Sequence, residues 1–366
     1  MRVFHCDQCD QLVFFENSVC VSCGARLAFH PDTRDMTVVP RPAAPPPATA
    51  TAPLTPAPDA GFRRCRNDLD FDVCNWVIPA GDAHELCASC RLTAVIPDTS
   101  IPANVTAWYR LETAKRRLVF TLLALGLPVV NRIDDPAAGL SFAFMADPED
   151  PAAPRVLTGH AGGIITINIA EADDAEREKR RQGLGEPYRT LLGHMRHESG
   201  HYYWDRLIKD SAELDGFRER FGDDTADYGQ ALARHYEQGA PADWQARFVS
   251  AYASAHPWED WAETWAHYLH MVDTLETAGE NGLILKPRRR DEPAVKALPP
   301  EVVTSGRVPF ERLIDTWYPL TYVVNNLNRG LGLSDGYPFV LSTPAVDKLR
   351  FVHDVVARAS AKVTAP

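Results

Sequence analysis

The sequence predicts an α+β fold in which a mostly helical domain with a small sheet follows two small cysteine-rich modules. Three observations lead to this expectation. All eight cysteines lie in the first quarter of the chain. Apolar side chains recur at helical spacing over residues 104–126, and Gly126 and Pro128 end the pattern. Residues 163–170, by contrast, alternate apolar and polar side chains with period two, as a half-buried strand does.

The first module, residues 1–35, has the cysteine spacing of a zinc ribbon. Its cysteines are Cys6, Cys9, Cys20 and Cys23. Each pair encloses two residues, so two knuckles can present four thiolates to one tetrahedral zinc ion. Such a closed site is structural. Disulfides are the alternative, and the reducing cytoplasm that we expect for this chain disfavours them.

Residues 36–60 join the two modules and consist largely of Ala, Pro and Thr. This composition cannot bury a core, so it predicts an extended, disordered tether. The tether would let the first module move relative to the rest of the chain. Such mobility suits a module that recruits a partner, although a plain spacer would have the same composition.

The second module, residues 61–100, contains the other four cysteines. They are Cys65, Cys74, Cys87 and Cys90. Only the last pair has knuckle spacing, but four cysteines within 26 residues favour a second four-thiolate zinc site. Replacement of one ligand by His84 and structural thiols without metal are the alternatives.

The remaining residues, 101–366, are numerous enough to bury a hydrophobic core of their own. A second strand is expected at 140–145. Residues 211–255 and the tail from 316 to 356 have helical patterns. Residues 278–308 are rich in Pro, Arg and Glu and predict an excursion on the surface.

The central feature of this domain is the pattern His-Glu-x-x-His at His197, Glu198 and His201. On a helix, residues i and i+4 share a face, so both imidazoles can reach one metal ion. Glu198 can then serve as general base for a water molecule that zinc activates. An ordinary amphipathic helix can carry the same short pattern by chance, so a third ligand is needed to decide.

A second polar stripe lies downstream, in the run from His256 to His267. Pro257 suits the first turn of a helix. In that helix Glu259, Glu263 and His267 would fall at positions i, i+4 and i+8 on one face. Two such stripes on two helices are what a buried zinc site requires.

These two motifs resemble those of the gluzincin metallopeptidases, in which His-Glu-x-x-His precedes a helix with Glu-x-x-Ala-Glu. The resemblance implies that Glu259 is the third zinc ligand and that Glu263 holds a ligand histidine. The reversed assignment stays open, because supporting carboxylates are easily confused with ligands. No Gly-x-x-His directly follows His201, so the metzincin pattern is absent.

Over nearly its full length the chain resembles the bacterial zinc-binding metallopeptidases that carry an N-terminal zinc ribbon. The resemblance rests on the stretches 12–20, 197–205, 257–270 and 336–342. It implies a zincin-like domain, but the family is named by its motif and does not specify the substrate. A metallopeptidase would act on a peptide or protein, and the motif and the two cysteine groups together predict three zinc ions, one catalytic and two structural.

Three further expectations concern the surroundings of the motif. Tyr252 precedes Glu259 by seven residues, and some gluzincins keep an oxyanion-stabilising tyrosine there; Tyr337 competes for the role. His194 could border the same pocket and contact the substrate or the transition state, although a residue that supports the ligands, an alternative ligand or a solvent-facing histidine is the simpler interpretation. Zincin-type folds pair substrate with an edge strand, and we expect residues 163–170 in that position, with ordinary sheet core as the alternative.

The charge balance narrows the range of partners. With 38 basic and 49 acidic residues the net charge is −11, which argues against broad nucleic-acid binding. Basic runs at 115–117, 179–181 and 286–290 have acidic neighbours and are interpreted as solvated faces. No apolar run can span a bilayer, and no signal peptide follows Met1, so we expect a cytoplasmic protein without membrane contact.

Two classes of function fit these observations. The first is a zinc-dependent peptidase with Glu198 as general base. The second is an adaptor, in which the ribbon binds a protein partner and the large domain is a metal-stabilised scaffold. The glutamate of the motif favours the enzyme, because a scaffold needs only the ligands. Nucleic-acid recognition by the ribbons and a catalytic metal other than zinc remain weaker alternatives.

Overall fold

The computed structural model describes residues 2–39, 61–150, 152–177 and 190–363. Most of the predicted tether, and the basic run at 179–181, lie outside these ranges. Within them the chain forms long helices and short strands, which confirms the α+β prediction. No helix in this part of the chain combines the length and the apolar character needed to cross a lipid bilayer.

The first module consists of two short hairpins around its four cysteines. Strand β1 (Phe4–His5) pairs antiparallel with β2 (Leu12–Val13), and β3 (Leu27–His30) pairs antiparallel with β4 (Asp35–Val38). Because β4 belongs to the second hairpin, the folded module extends past the boundary expected at residue 35.

The second module leads directly into the large domain. Strand β5 (Phe62–Arg64) pairs antiparallel with β6 (Val77–Pro79), and helix α1 (Arg66–Phe71) lies between them in sequence. A 3-10 turn at Cys90–Leu92 then leads into strand β7 (Thr93–Val95). Because β7 pairs within the sheet of the large domain, the module and that sheet share a strand.

The first module is docked against the rest of the chain, so the expected mobility relative to it is wrong. The Phe15 ring lies 6.2 Å from the Trp76 ring and 5.3 Å from the Phe120 ring, both edge-on. Asn75 Nδ2 donates to the Phe15 carbonyl at 2.6 Å. Phe120 belongs to the first long helix, α2 (Pro102–Ala124). One hydrophobic core therefore continues from the ribbon into the large domain.

The large domain contains a four-stranded sheet in the order β7–β8–β10–β9. Strand β8 (Ser141–Met145) pairs in parallel with β7 and with β10 (Ile164–Asn168), and β9 (Gly159–Ala161) pairs antiparallel with β10. Since β10 is an inner strand, the expectation of an edge strand at 163–170 is wrong. The glycine pair between β9 and β10, at φ values of 54° and 83°, folds β9 back onto the outer side.

Helices make up most of the domain beyond the sheet. They are α3 (Leu191–Leu207), α4 (Leu214–Phe221), α5 (Tyr228–Gln238), α6 (Pro257–Glu280), α7 (Pro300–Thr304), α8 (Phe310–Gly330) and α9 (Thr343–Val363). Helix α6 is central, since it packs against α3 and α9. The region expected to be helical at 211–255 contains α4 and α5, with a loop between them and two 3-10 turns after α5.

The segment at 278–308 contributes to the core as well as to the surface. A hairpin of β11 (Ile284–Leu285) and β12 (Val295–Lys296) lies on the outside. The side chains of Leu298, Val303 and Val308 are buried in the core. The expectation of a pure surface excursion is therefore wrong, because the apolar residues after β12 pack inward.

Candidate metal centre

Helix α3 carries the His-Glu-x-x-His motif in its middle turns. Thr190 caps its N-terminus, where Oγ1 accepts a hydrogen bond from the Gly193 amide at 3.0 Å. Within the helix His197 and His201 are one turn apart, and their rings lie 4.9 Å from each other. The helix thus presents both imidazoles on the same face.

Helix α6 starts with a rigid cap that places Glu259 in its first turn. Pro257 occupies the first helical position, as predicted. Before it, His256 Nδ1 accepts from the Trp258 amide at 3.0 Å, while Nε2 lies 3.0 Å from the Ala226 carbonyl. Since Nδ1 is an acceptor, Nε2 must be the protonated donor, and the imidazole joins this cap to the preceding loop.

The two helices meet at backbone contact, which determines the register of their side chains. A Cβ atom on Gly200 would lie only 2.8 Å from the Ala262 Cα atom, so only glycine allows this approach. Trp261 Nε1 donates to the Gly200 carbonyl at 2.9 Å, and Trp265 Nε1 donates to Ser199 Oγ at 3.1 Å. These contacts hold the motif of α3 opposite the first turns of α6.

At this crossing three predicted residues converge. Glu259 Oε2 lies 3.1 Å from His197 Nε2 and 3.6 Å from His201 Nε2. One ligand atom from each residue falls within 4.8 Å of the other two. Glu259 is buried, and its Oε2 atom has no hydrogen-bond partner among the described residues. Two imidazoles and a buried, unpartnered carboxylate oxygen are the donor set that a zinc ion requires.

Glu263 contacts the opposite side of the first histidine. Its Oε1 atom lies 2.7 Å from His197 Nδ1, and its Oε2 atom accepts from Ser250 Oγ at 2.6 Å. Although burial raises the pKa of Glu263, the hydrogen bond with His197 lowers it to about 2. In the structure Glu259 therefore faces Nε2 of His197, and Glu263 faces Nδ1 of the same imidazole. From that position Glu263 can orient the His197 ring.

Glu198 directly follows His197 on α3 and lies beside this group. It is only 8% exposed, and its Oε2 atom lacks a hydrogen-bond partner within the described part of the chain. Burial raises the pKa of Glu198, while His197 and His201 lower it to a smaller extent. A buried carboxylate with a raised pKa is well suited to accept a proton.

The eight cysteines form two separate groups of four free thiols, so disulfides are absent among them. The Sγ atoms of Cys6 and Cys23 are 3.7 Å apart in the first group, and those of Cys74 and Cys87 are 3.7 Å apart in the second. Four thiolates at ordinary Zn–S distances from one ion would be separated by about 3.8 Å. Both groups therefore fit a structural zinc ion.

The surroundings of the second group argue for four thiolate ligands. His84 Nδ1 lies 2.8 Å from Asp82 Oδ1, and the imidazole is not part of the group, so its expected alternative role as ligand is wrong. The Arg116 guanidinium of α2 is buried and donates to the Val73 carbonyl at 2.6 Å. Its charge acts on Cys74 and offsets the negative charge of a four-thiolate site.

Comparison with known proteins agrees with this arrangement of sites. Residues 104–355 match the family described as "Putative zinc-binding metallo-peptidase", and residues 3–101 match a zinc-ribbon domain. The chain belongs to this metallopeptidase family. Uncharacterized proteins of Mycobacterium tuberculosis and Mycobacterium bovis are each 44% identical to it over 357 residues, which cover 97% of this chain and 95% of each relative. No solved structure matches it significantly.

Of the other predicted site residues, Tyr252 lies near the centre, whereas Tyr337 and His194 make contacts elsewhere. The Tyr252 ring lies 6.0 Å from the His197 ring. Tyr337 is buried, and its hydroxyl bonds His267 Nδ1 at 2.7 Å, so the expectation that it competes with Tyr252 is wrong. His194 Nδ1 lies 3.4 Å from Glu171 Oε2, and His194 is not part of the ligand group.

Sequence reasoning missed two residues beside the candidate metal centre. Tyr228, at the start of α5, donates its hydroxyl proton to Glu259 Oε1 at 2.6 Å. The His160 ring, on edge strand β9, stacks 6.2 Å from the His201 ring and accepts from the Gly163 amide at 3.1 Å. His160 belongs to no motif, and Tyr228 belongs only to the helical pattern of residues 211–255, so the fold alone reveals their positions beside the ligands.

Proposed function

We propose that this metallopeptidase hydrolyses peptide bonds in a gluzincin-type site, with one zinc ion held by His197, His201 and Glu259. The main support for this proposal is that the Nε2 atoms of His197 and His201 both face Oε2 of Glu259. This buried oxygen has no other partner among the described residues. When bound there, zinc lowers the pKa of a water molecule and polarises the substrate carbonyl.

The protein residues have distinct roles in this proposal. Glu198 accepts the proton of the attacking water and later donates it to the leaving amine, and its raised pKa suits both steps. Glu263, held by Ser250, keeps the His197 ring in the tautomer whose Nδ1 carries the proton. The Tyr252 ring lies 6.0 Å from the His197 ring, and its hydroxyl is the proposed donor to the oxyanion. Such a donor typically contributes about 3 kcal/mol to the transition state.

The sheet suggests how a peptide would bind. Strand β9 forms the outer edge of the sheet and contacts α3, which carries the zinc ligands. An extended peptide can pair with such an edge as an additional strand. His160 of β9 already lies beside His201, so a peptide along this edge would pass the metal centre.

Three zinc ions per chain follow from the proposal, since each of the two cysteine groups would hold a structural ion. Mass spectrometry of the native chain would measure the ratio. A ratio of two would leave the cysteine sites intact and contradict the catalytic site.

The decisive experiment compares zinc-loaded wild type with Glu198→Gln on a diverse peptide library, with cleavage read by mass spectrometry. Because the amide cannot accept the proton, kcat/KM should fall by about 10²- to 10⁴-fold while zinc content stays unchanged. The matched control is Glu219→Gln, whose side chain is 75% exposed on α4 and distant from the motif. Full activity of Glu198→Gln would disprove its role, and a zinc-loaded wild type without cleavage would favour the adaptor alternative.

A further inference from the structure

We propose that Tyr228 is a positioning residue of the metal centre, and that its hydrogen bond couples zinc occupancy to closure of helix α5 over the site. The inference rests on the proposed zinc site at His197, His201 and Glu259. It concerns a helix that no sequence motif marks and that carries none of the proposed zinc ligands.

The two oxygens of Glu259 have different surroundings. Oε2 faces the two imidazoles, whereas Oε1 accepts the Tyr228 hydroxyl proton at 2.6 Å. A hydrogen bond to a carboxylate at this distance is charge-assisted and strong. Because the carboxylate is only 1% exposed, water has little access to replace the tyrosine. Tyr228 therefore holds the carboxylate in the rotation that presents Oε2 to a metal.

Helix α5 is attached much more weakly than its neighbours. Of its eleven residues only Ala231 is buried, whereas α3 and α6 bury large parts of their length. The segment that contains α5 is bounded by Gly222 and Gly239, with φ values of 107° and 75°. Glycines at positive φ can absorb large backbone rotations, and a helix with few buried side chains opens at low cost.

The first turn of α5 makes most of the described contacts with the rest of the site. The Tyr228 ring packs 5.3 Å from the His256 ring and 5.6 Å from the Trp258 ring. Further along, the His235 ring lies 5.8 Å from the Tyr252 ring. The Tyr228 hydroxyl is thus the group through which the position of α5 acts on the ligand carboxylate.

This arrangement makes the coupling reciprocal. A closed α5 orients Glu259 and raises the affinity for zinc, and bound zinc must stabilise the closed helix by the same free energy. Loss of the hydroxyl should therefore weaken both effects together.

The first test measures zinc affinity with a competing chelator that leaves the cysteine sites loaded, as zinc content per chain will verify. Removal of an outer hydrogen bond to a metal ligand typically weakens binding by about 10- to 100-fold, and we expect this range for Tyr228→Phe. The control is Tyr322→Phe, which removes a hydroxyl from a side chain of α8 that is 70% exposed. Its zinc affinity should stay within about twofold of the wild type, below the range that loss of an outer hydrogen bond produces.

The second test uses hydrogen exchange of the α5 amides in the full chain, with the third zinc ion present or removed. Zinc should slow exchange in α5 of the wild type, and this effect should shrink in Tyr228→Phe while protection of α3 persists. The inference would be overturned if Tyr228→Phe left the zinc affinity unchanged. It would also be overturned if zinc did not change the rate of hydrogen exchange in α5 of the wild type. If the wild type binds no third zinc ion, the proposed function itself fails, so the two failures can be told apart.

Discussion

The second cysteine group and the His-Glu centre are two metal sites of opposite construction. The four thiols of the cysteine group are all buried, and together they would complete a tetrahedron. The His-Glu centre offers three ligands, and beside them a buried carboxylate, Glu198, whose Oε2 atom is left without a partner in the described chain. A closed group of four thiolates is typical of a structural zinc site, whereas three ligands would leave one coordination position free for the chemistry of the proposed function.

We expect the largest loss of stability from a substitution that removes a ligand of the closed site. Cys87→Ser removes one of four ligands from the second group, and structural zinc sites provide much of the folding free energy of small modules. We expect the variant to lose one zinc ion and most of its cooperative thermal unfolding transition. His201→Gln, the corresponding change in the open centre, should also lose one zinc ion but keep a melting temperature close to the wild type. If both variants lowered the melting temperature equally, the distinction between a structural closed site and an open centre would be contradicted.

The next effect concerns the support behind the open centre. Lys348 of α9 donates to Asp260 Oδ2 at 2.5 Å, and the pair is buried directly beside Glu259. Lys348→Met would leave a buried carboxylate unpaired, which typically costs about 3–5 kcal/mol in the free energy of unfolding. Chemical denaturation would measure the loss, with Lys209→Met at an exposed site as the control. A loss below about 1 kcal/mol would show that the pair is not needed, since removing one partner of a buried pair normally costs several times more.

The contact between the two helices of the open centre should give a smaller change in stability. Gly200→Ala places a methyl group 2.8 Å from the Ala262 Cα atom, so the helices must separate slightly. Overpacking of this kind costs about 1–3 kcal/mol. Because the displacement occurs next to His201, we expect weaker zinc binding as well as a lower melting temperature. A variant with unchanged zinc affinity would show that the centre tolerates the shift.

The smallest change in stability is expected from substitutions that distinguish the roles of the two carboxylates of α6. Glu263→Gln removes the charge that orients His197, and zinc affinity should fall by about 10- to 100-fold without loss of the fold. Glu259→Gln should instead abolish binding at this centre, because it removes a ligand. Metal titration with both variants would measure the difference. Stronger loss of zinc in Glu263→Gln than in Glu259→Gln would reverse the two roles.

Local features of the sequence determined the helices and the composition of the sites. Proline at position 257 and apolar spacing over residues 104–126 predicted two helices that the structure contains, the second of them at Pro102–Ala124. The spacing of His197 and His201, and of the cysteine pairs, likewise depends only on the helical repeat and on short turns. These predictions succeeded because each needs information from only a few neighbouring residues.

Only the tertiary structure determined those features of the fold and the site that depend on residues distant in the chain. Glu259 and Glu263 share one face of α6, so only the close approach at Gly200 shows which of them meets the Nε2 atoms. The edge position of β9, the docking of the ribbon through Phe15, and the bond from Tyr228 to Glu259 join residues far apart in the chain. The periodicity of the sequence does not predict such contacts, because they depend on how helices and strands that are distant in the chain pack against each other.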